Sequence, residues 1–177
     1  GGEDQGSGQG EGVNPISVTL NETQNALSRV VGDRRMAGAV SRGYKNKAGL
    51  VSEGWDEHRL GAAGELAFSV GTGVPWPMTV DTFSAPDFPP DVDIKTRKEQ
   101  PRAPTELMIR PGSNPDYRYV HVVLCDVEYQ IRGWSWGYDV MQDEYLRDFK
   151  NERPVVFLLP NRLLRPLDEL VRDGQIL

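Results

Sequence analysis

Residues 86–96 read Pro86-Asp87-Phe88-Pro89-Pro90-Asp91-Val92-Asp93-Ile94-Lys95-Thr96, and residues 61–68 before them read Gly61-Ala62-Ala63-Gly64-Glu65-Leu66-Ala67-Phe68. Together these two stretches decide the fold. The earlier one, with Leu60, Ala63, Ala67 and Val70 on one stripe, predicts a helix from about Glu57 to Val70 with Gly71 just past its end. Its stripe is made of small residues, so a neighbouring element can approach closely. The later one is β-branched and bounded by prolines, which predicts a strand at Val92–Thr96 entered through a bend. Side chains alternate along a strand, so Asp93 and Lys95 share one face and Val92, Ile94 and Thr96 the other.

Working outward, Asn21-Glu22-Thr23-Gln24 offers an N-cap side chain with a glutamine three residues on. A helix is expected to begin there, with Leu27, Val30, Val31, Ala37 and Val40 at helical spacing and Gly43 as its stop. Residues 44–57 read as irregular. From Val74 onward, prolines at 75, 77, 86, 89, 90, 101 and 104 cut the chain into short extended pieces. Further strands are expected at Met78–Phe83, Glu106–Arg110, Tyr119–Leu124, Tyr129–Trp134 and Val155–Leu159. Tyr145–Lys150 and Pro166–Arg172 are expected as short helices. Helices first and then mostly strands describe an α+β chain with a mixed or antiparallel sheet.

The chain has 177 residues, enough for one core. Residues 1–12, GGEDQGSGQGEG, hold no apolar side chain and cannot offset the entropy of ordering. The expected organisation is a disordered tail over 1–14 and a single domain over 15–177. Of the formal net charge of -6, Glu3, Asp4 and Glu11 carry three units, leaving -3 for the remainder. That balance excludes a general DNA-coating protein. It is uneven, however: Arg29, Arg34, Arg35, Arg42, Lys45 and Lys47 face Asp33 alone within residues 29–47, a stretch able to meet phosphates or to form a solvated helix face. Cys125 is the single cysteine, which excludes an intramolecular disulfide and a thiolate zinc site. No apolar run is long enough to span a bilayer, so no membrane partner is expected, and an intracellular setting is.

The chemistry lies in the acids. Asp93 and Lys95 place a carboxylate and an amine at one spot, where the acid can bind a divalent cation and the amine can hold or deprotonate a water. Asp87 or Asp91 can supply a second acid, and Glu65 a helix-borne one, since an isolated acid in an apolar helix needs a partner. That partner is a cation, or a basic side chain such as Arg59 or Lys95. Alternating charges also serve any edge strand that must avoid pairing with other chains. The placement beside an acid-bearing helix and a proline-rich hairpin favours the site. Arg97 and Lys98 continue the strand with more bases. Trp134, Trp136 and Tyr138 alternate at strand period, a pattern that serves to stack on bases or, the reading preferred, to fill one face of a sheet core.

Asp87-Phe88-Pro89-Pro90-Asp91-Val92-Asp93-Ile94-Lys95-Thr96 resembles the metal motif of the PD-(D/E)XK nuclease superfamily, in which an acid precedes an acid-x-Lys strand by a short hairpin and a Glu often sits on the preceding helix. The chain is similar to small phage and bacterial proteins of that superfamily in its GAxGELA helix, in Leu107 to Pro111, and in Ile131-Arg132-Gly133-Trp134. The resemblance implies a restriction-endonuclease-like core, a central mixed β-sheet flanked by helices. It implies a DNA nuclease dependent on Mg²⁺, with Mn²⁺ as a substitute, working in the bacterial cytoplasm or that of a phage-infected host. Residue by residue, Asp87 matches the first acid, Asp93 the second, Lys95 the lysine and Glu65 the helix acid. Asp91 is an additional acid, so whether Asp87 or Asp91 bridges the metal stays open. DNA would be held by Arg34, Arg35, Lys45, Lys47, Arg97 and Lys98, and a homodimer would cut both strands. The reading makes one geometric demand: Glu65 and Lys95 must meet. A Glu65 salt-bridged elsewhere would count against catalysis.

Overall fold

Asn21 starts the first long helix as its sequence predicts. Its Oδ1 accepts from the Gln24 backbone N–H at 2.9 Å, and the Gln24 Oε1 accepts from the Asn21 N–H at 2.9 Å. The computed structural model describes residues 14–43, 51–80, 84–150 and 153–177, and only the backbone of 51–53. In chain order the elements are β1 (Ile16–Val18), α1 (Glu22–Ser41), α2 (Val51–Thr72), β2 (Val92–Lys98), β3 (Leu107–Ile109), β4 (Arg118–Cys125), β5 (Glu128–Trp136), α3 (Gly137–Val140), β6 (Leu146–Arg147), β7 (Val156–Leu159), β8 (Val171–Arg172) and β9 (Gln175–Ile176).

Four strands form a mixed sheet in the order β1-β5-β4-β2. β2 runs parallel to β4, with Asp93 opposite Tyr119 and Lys95 opposite His121, while β5 is antiparallel to both of its neighbours. β2 is therefore an edge strand. α2 covers one face of this sheet, its Ala63, Leu66, Ala67 and Phe68 packing with Val92, Ile94, Val120, Val122 and Ile131. A second sheet, β3-β7-β6, contributes to a separate cluster in which Leu107, Ile109 and Leu159 surround Tyr119 of β4. Tyr119 and Val120 belong to different clusters because neighbours on a strand point to opposite faces. The chain is thus α+β, with a mixed sheet flanked by helices.

The small residues of α2 let β2 approach closely, as the sequence suggests: a Cβ on Gly64 would lie 1.8 Å from Thr96 Oγ1. Gly32 of α1 is so close to α2 that a Cβ there would lie 2.7 Å from Arg59 Cα. On α1 the buried side is Ser28, Val31, Gly32, Met36 and Ala39, whereas Leu27, Val30 and Val40 face outward. Of the five apolar residues whose spacing predicted the inner face of α1, only Val31 is buried; Met36 and the small residues Ser28, Gly32 and Ala39 complete that face.

Other expectations are corrected. α2 begins at Val51, so residues 51–57 are helical rather than irregular. Met78–Val80 is not a strand, and the rest of that expected segment lies outside the described residues. Tyr145–Lys150 is not a helix: a 3₁₀ turn at Asp143–Tyr145 leads into β6, which pairs with β7. Only Leu167–Glu169 of the expected final helix is helical, and it is again a 3₁₀ turn, followed by the β8–β9 ribbon. Trp134 is buried in the sheet core, but Trp136 is half-buried and stacks on the exposed Tyr138. Among the described residues no helix is long and apolar enough to cross a membrane.

Candidate active site

The bend before β2 brings the acids together. Phe88 and Val92 exchange both backbone hydrogen bonds across a tight turn, at 2.9 and 3.0 Å. This folds Asp87 back along β2, where its Oδ2 accepts from the Ile94 N–H at 2.8 Å. An edge strand carries backbone donors with no strand beside them, and Asp87 satisfies one.

Asp93 and Lys95 project from the same face of β2, and Lys95 Nζ lies 2.6 Å from Asp93 Oδ2. The ammonium is also 5.4 Å from the centroid of the Tyr119 ring. Asp87 sits within the influence of Asp93 and of Glu65. Burial raises its pKa well above the usual carboxylate range, and the charges of Glu65 and Asp93 raise it further, against the pull of the Ile94 N–H.

Glu65 does not reach Lys95. Its buried carboxylate is gripped by the Arg35 guanidinium through both oxygens, with Nη2 to Oε2 at 2.8 Å. The Trp76 indole N–H donates to Oε2 at 3.0 Å, and Arg35 Nε donates to the Thr79 carbonyl at 2.8 Å. Burial works against the Arg35 charge, but Glu65 more than offsets this and its pKa is raised. A bidentate pair with a third donor leaves Glu65 little capacity as a metal ligand. In this structure the Glu65 carboxylate faces Arg35 and Trp76 and acts on Asp87 through its charge. Arg35, expected on phosphate, is turned inward for the same reason.

Asp91 is also diverted. It belongs to the turn rather than to β2, and its carboxylate takes a bidentate pair from Arg118, at 2.5 Å from Nη2 and 3.0 Å from Nε. Arg118 donates as well to the Leu177 carbonyl at 2.5 Å. Asp91 is thus engaged by Arg118, whereas Asp87 is the acid folded back along the strand that bears Asp93 and Lys95. Of the expected phosphate contacts, Arg34 and Lys98 are exposed, Arg97 is half-buried, and Lys45 and Lys47 lie outside the described residues.

Among the described residues no three His, Cys, Asp or Glu side chains converge into a cage for a metal ion. The fit to Mg²⁺ rests on the donor chemistry of Asp87 and Asp93. Mg²⁺ takes hard oxygen ligands, often only one or two carboxylates, and keeps several waters. A carboxyl made reluctant to ionise by neighbouring acids is relieved by a divalent cation. Arg35, Trp76 and Tyr119 were not foreseen at this site; each comes from a different part of the chain.

No family model, no curated protein and no solved structure matches this chain.

Proposed function

We propose that the chain is a metal-dependent deoxyribonuclease that hydrolyses DNA phosphodiester bonds at the hairpin edge of β2. The observation that carries the reading is the position of Asp87, half-buried beside two further acids and folded onto the strand that bears Asp93 and Lys95. A structural ion pair would not need a second acid whose ionisation its neighbours oppose.

In this reading Asp87 and Asp93 hold Mg²⁺. The ion, when bound, neutralises charge on the scissile phosphate and lowers the pKa of water. Asp93 holds Lys95 Nζ in place, so that it donates hydrogen bonds and orients either the attacking water or a phosphate oxygen. Arg35 and Trp76 fix Glu65, and Glu65 keeps a negative charge next to Asp87. Arg34 and Lys98 supply exposed cationic contacts for the backbone of the nucleic acid.

A second reading, DNA binding without cleavage, is favoured by one observation: the helix acid is already neutralised by Arg35. The two readings separate on supercoiled, linear and single-stranded DNA with Mg²⁺ or Mn²⁺. The nuclease reading expects cutting that is lost in Asp93→Ala and Lys95→Ala. If the wild type and both variants are equally inert while DNA is retained, the second reading holds.

A further inference from the structure

One step along β2 from Lys95, a cavity of about 420 Å³ opens between Arg97 and the second sheet. Met108 of β3 and Leu158 of β7, which are cross-strand partners, line it together with Phe149. Three guanidiniums, Arg97, Arg110 and Arg153, stand around these apolar walls against a single acid, Glu106.

None of the three makes an ion pair within 4 Å among the described residues. Arg97 is half-buried, its Nη1 donating to the Glu106 backbone carbonyl at 3.0 Å, and Arg153 lies over the Phe149 ring at 5.9 Å. Arg110 and Arg153 are exposed, whereas the half-buried Arg97 is costly to keep without an anion. Three guanidiniums around an apolar, aromatic-walled space select a ligand that is flat and apolar in one part and anionic in another. The volume falls within the range of sites for small organic ligands.

Position narrows the ligand. Asp93, Lys95 and Arg97 share one face of β2. Alternate residues of a strand lie about 6.6 Å apart, so a chain of phosphates passing Lys95 next meets Arg97 at the mouth of the cavity. We propose that this cavity receives an unpaired nucleotide of the substrate strand, next to the phosphate at Lys95, with its base between Phe149 and Met108 and its phosphate on the arginines. The substrate class is then single-stranded DNA or a frayed end. A base paired within a duplex cannot enter without being turned out of the stack. The direction of the strand rests on the hydrolase reading, whereas the cavity and its arginines do not.

The test is fluorescence anisotropy in EDTA, which prevents cutting, with a labelled oligonucleotide of about 12 nucleotides, within the usual range of single-strand sites. The same sequence as a blunt duplex is the comparison. Single strand is expected to bind at least tenfold more tightly than duplex. Met108→Trp, which fills the cavity, and Arg110→Glu, at an exposed position that folding tolerates, should each lower single-strand affinity at least tenfold and leave duplex affinity within twofold. Equal affinity for the two forms, or single-strand binding indifferent to both cavity variants, would overturn the proposal even if Mg²⁺-dependent cutting is found. Conversely, cavity-dependent binding without any cutting upholds the cavity and removes the nuclease reading.

Discussion

Gly64 of α2 lies directly over Thr96 of β2: a Cβ built on Gly64 would be 1.8 Å from Thr96 Oγ1 and 2.8 Å from its Cβ. This contact sets how closely the helix that carries Glu65 can approach the strand that carries Asp93 and Lys95. The next residue after Gly64 is the acid, so the depth of that contact decides whether Glu65 is near enough to bias Asp87.

Gly64→Ala should therefore cost about 3 kcal/mol or more, since overpacking a tight contact typically costs 1–3 kcal/mol and Thr96 is too short and stiff to swing away. Thr96→Ala removes Oγ1, which has no hydrogen-bond partner, and should restore part of the loss in the double variant. Denaturant midpoints of the four proteins in a double-mutant cycle check this. Strict additivity of the two substitutions would show that the contact is not what limits the approach.

The Arg35–Glu65 pair predicts an asymmetric stability effect. Glu65 is 3% exposed, so Glu65→Ala leaves a largely buried guanidinium without its counterion. Removing one partner of a buried pair costs about 3–5 kcal/mol, whereas replacing both by apolar residues is often close to neutral. Arg35→Leu combined with Glu65→Leu should recover most of the stability lost in Glu65→Ala. Urea unfolding of each protein measures it, and equal losses in the single and double variants would contradict the pairing as a closed unit.

Asp87 gives a prediction with a definite sign. Its folded pKa lies above its unfolded value of about 3.8, so the stability from its protonated form is fully present below about pH 4 and is lost as pH rises through the folded pKa. Asp87→Asn retains an acceptor for the Ile94 N–H and removes the charge. Its melting temperature should exceed that of the wild type at neutral pH, with the gap closing as pH falls toward 4. Added Mg²⁺ should raise the melting temperature of the wild type and not that of Asp87→Asn. A variant less stable than the wild type at every pH would mean that Asp87 contributes a favourable charge instead.

Much of this arrangement was legible in the sequence because it is local. The Asn21–Gln24 cap and the alternation Val92-Asp93-Ile94-Lys95 depend on residues within a few positions of one another. The partners of Glu65 were not legible: Arg35 is 30 residues earlier and is set by how α1 packs on α2, a contact made by glycines and alanines that leave little periodic signal. The same cause misled part of the reading of α1, where Leu27, Val30 and Val40 face outward while Val31 and Met36 face inward. β6 and the β8–β9 ribbon are two-residue strands formed by pairing with β7 and with each other, too short to show a period of two. Asp91 looked as able as Asp87 to supply the second acid because the residue that engages it, Arg118, lies 27 positions further along the chain.

His121 adds the opposite pH effect beneath the same strand. It is fully buried opposite Lys95, and its Nε2–H donates to the Thr105 carbonyl at 3.0 Å. Burial lowers its pKa to about 4; the backbone carbonyls of Thr105 and Lys95 favour the charged form, while Arg132 and Arg97 oppose it. The group is therefore neutral in the fold, and the stability it contributes is present above about pH 6.5 and lost as pH falls toward 4. A shift of that size amounts to roughly 3 kcal/mol, at about 1.4 kcal/mol per pH unit. His121→Gln keeps a donor for Thr105 and cannot titrate, so it removes the loss of stability that His121 causes as pH falls from about 6.5 toward 4. Because ionisation of Asp87 destabilises the fold in the opposite direction, the wild-type profile is the difference of two slopes. His121→Gln should expose a rise in stability on acidification, and Asp87→Asn should expose a steeper fall. Melting temperatures of the three proteins across this range test both assignments, and parallel profiles would remove them.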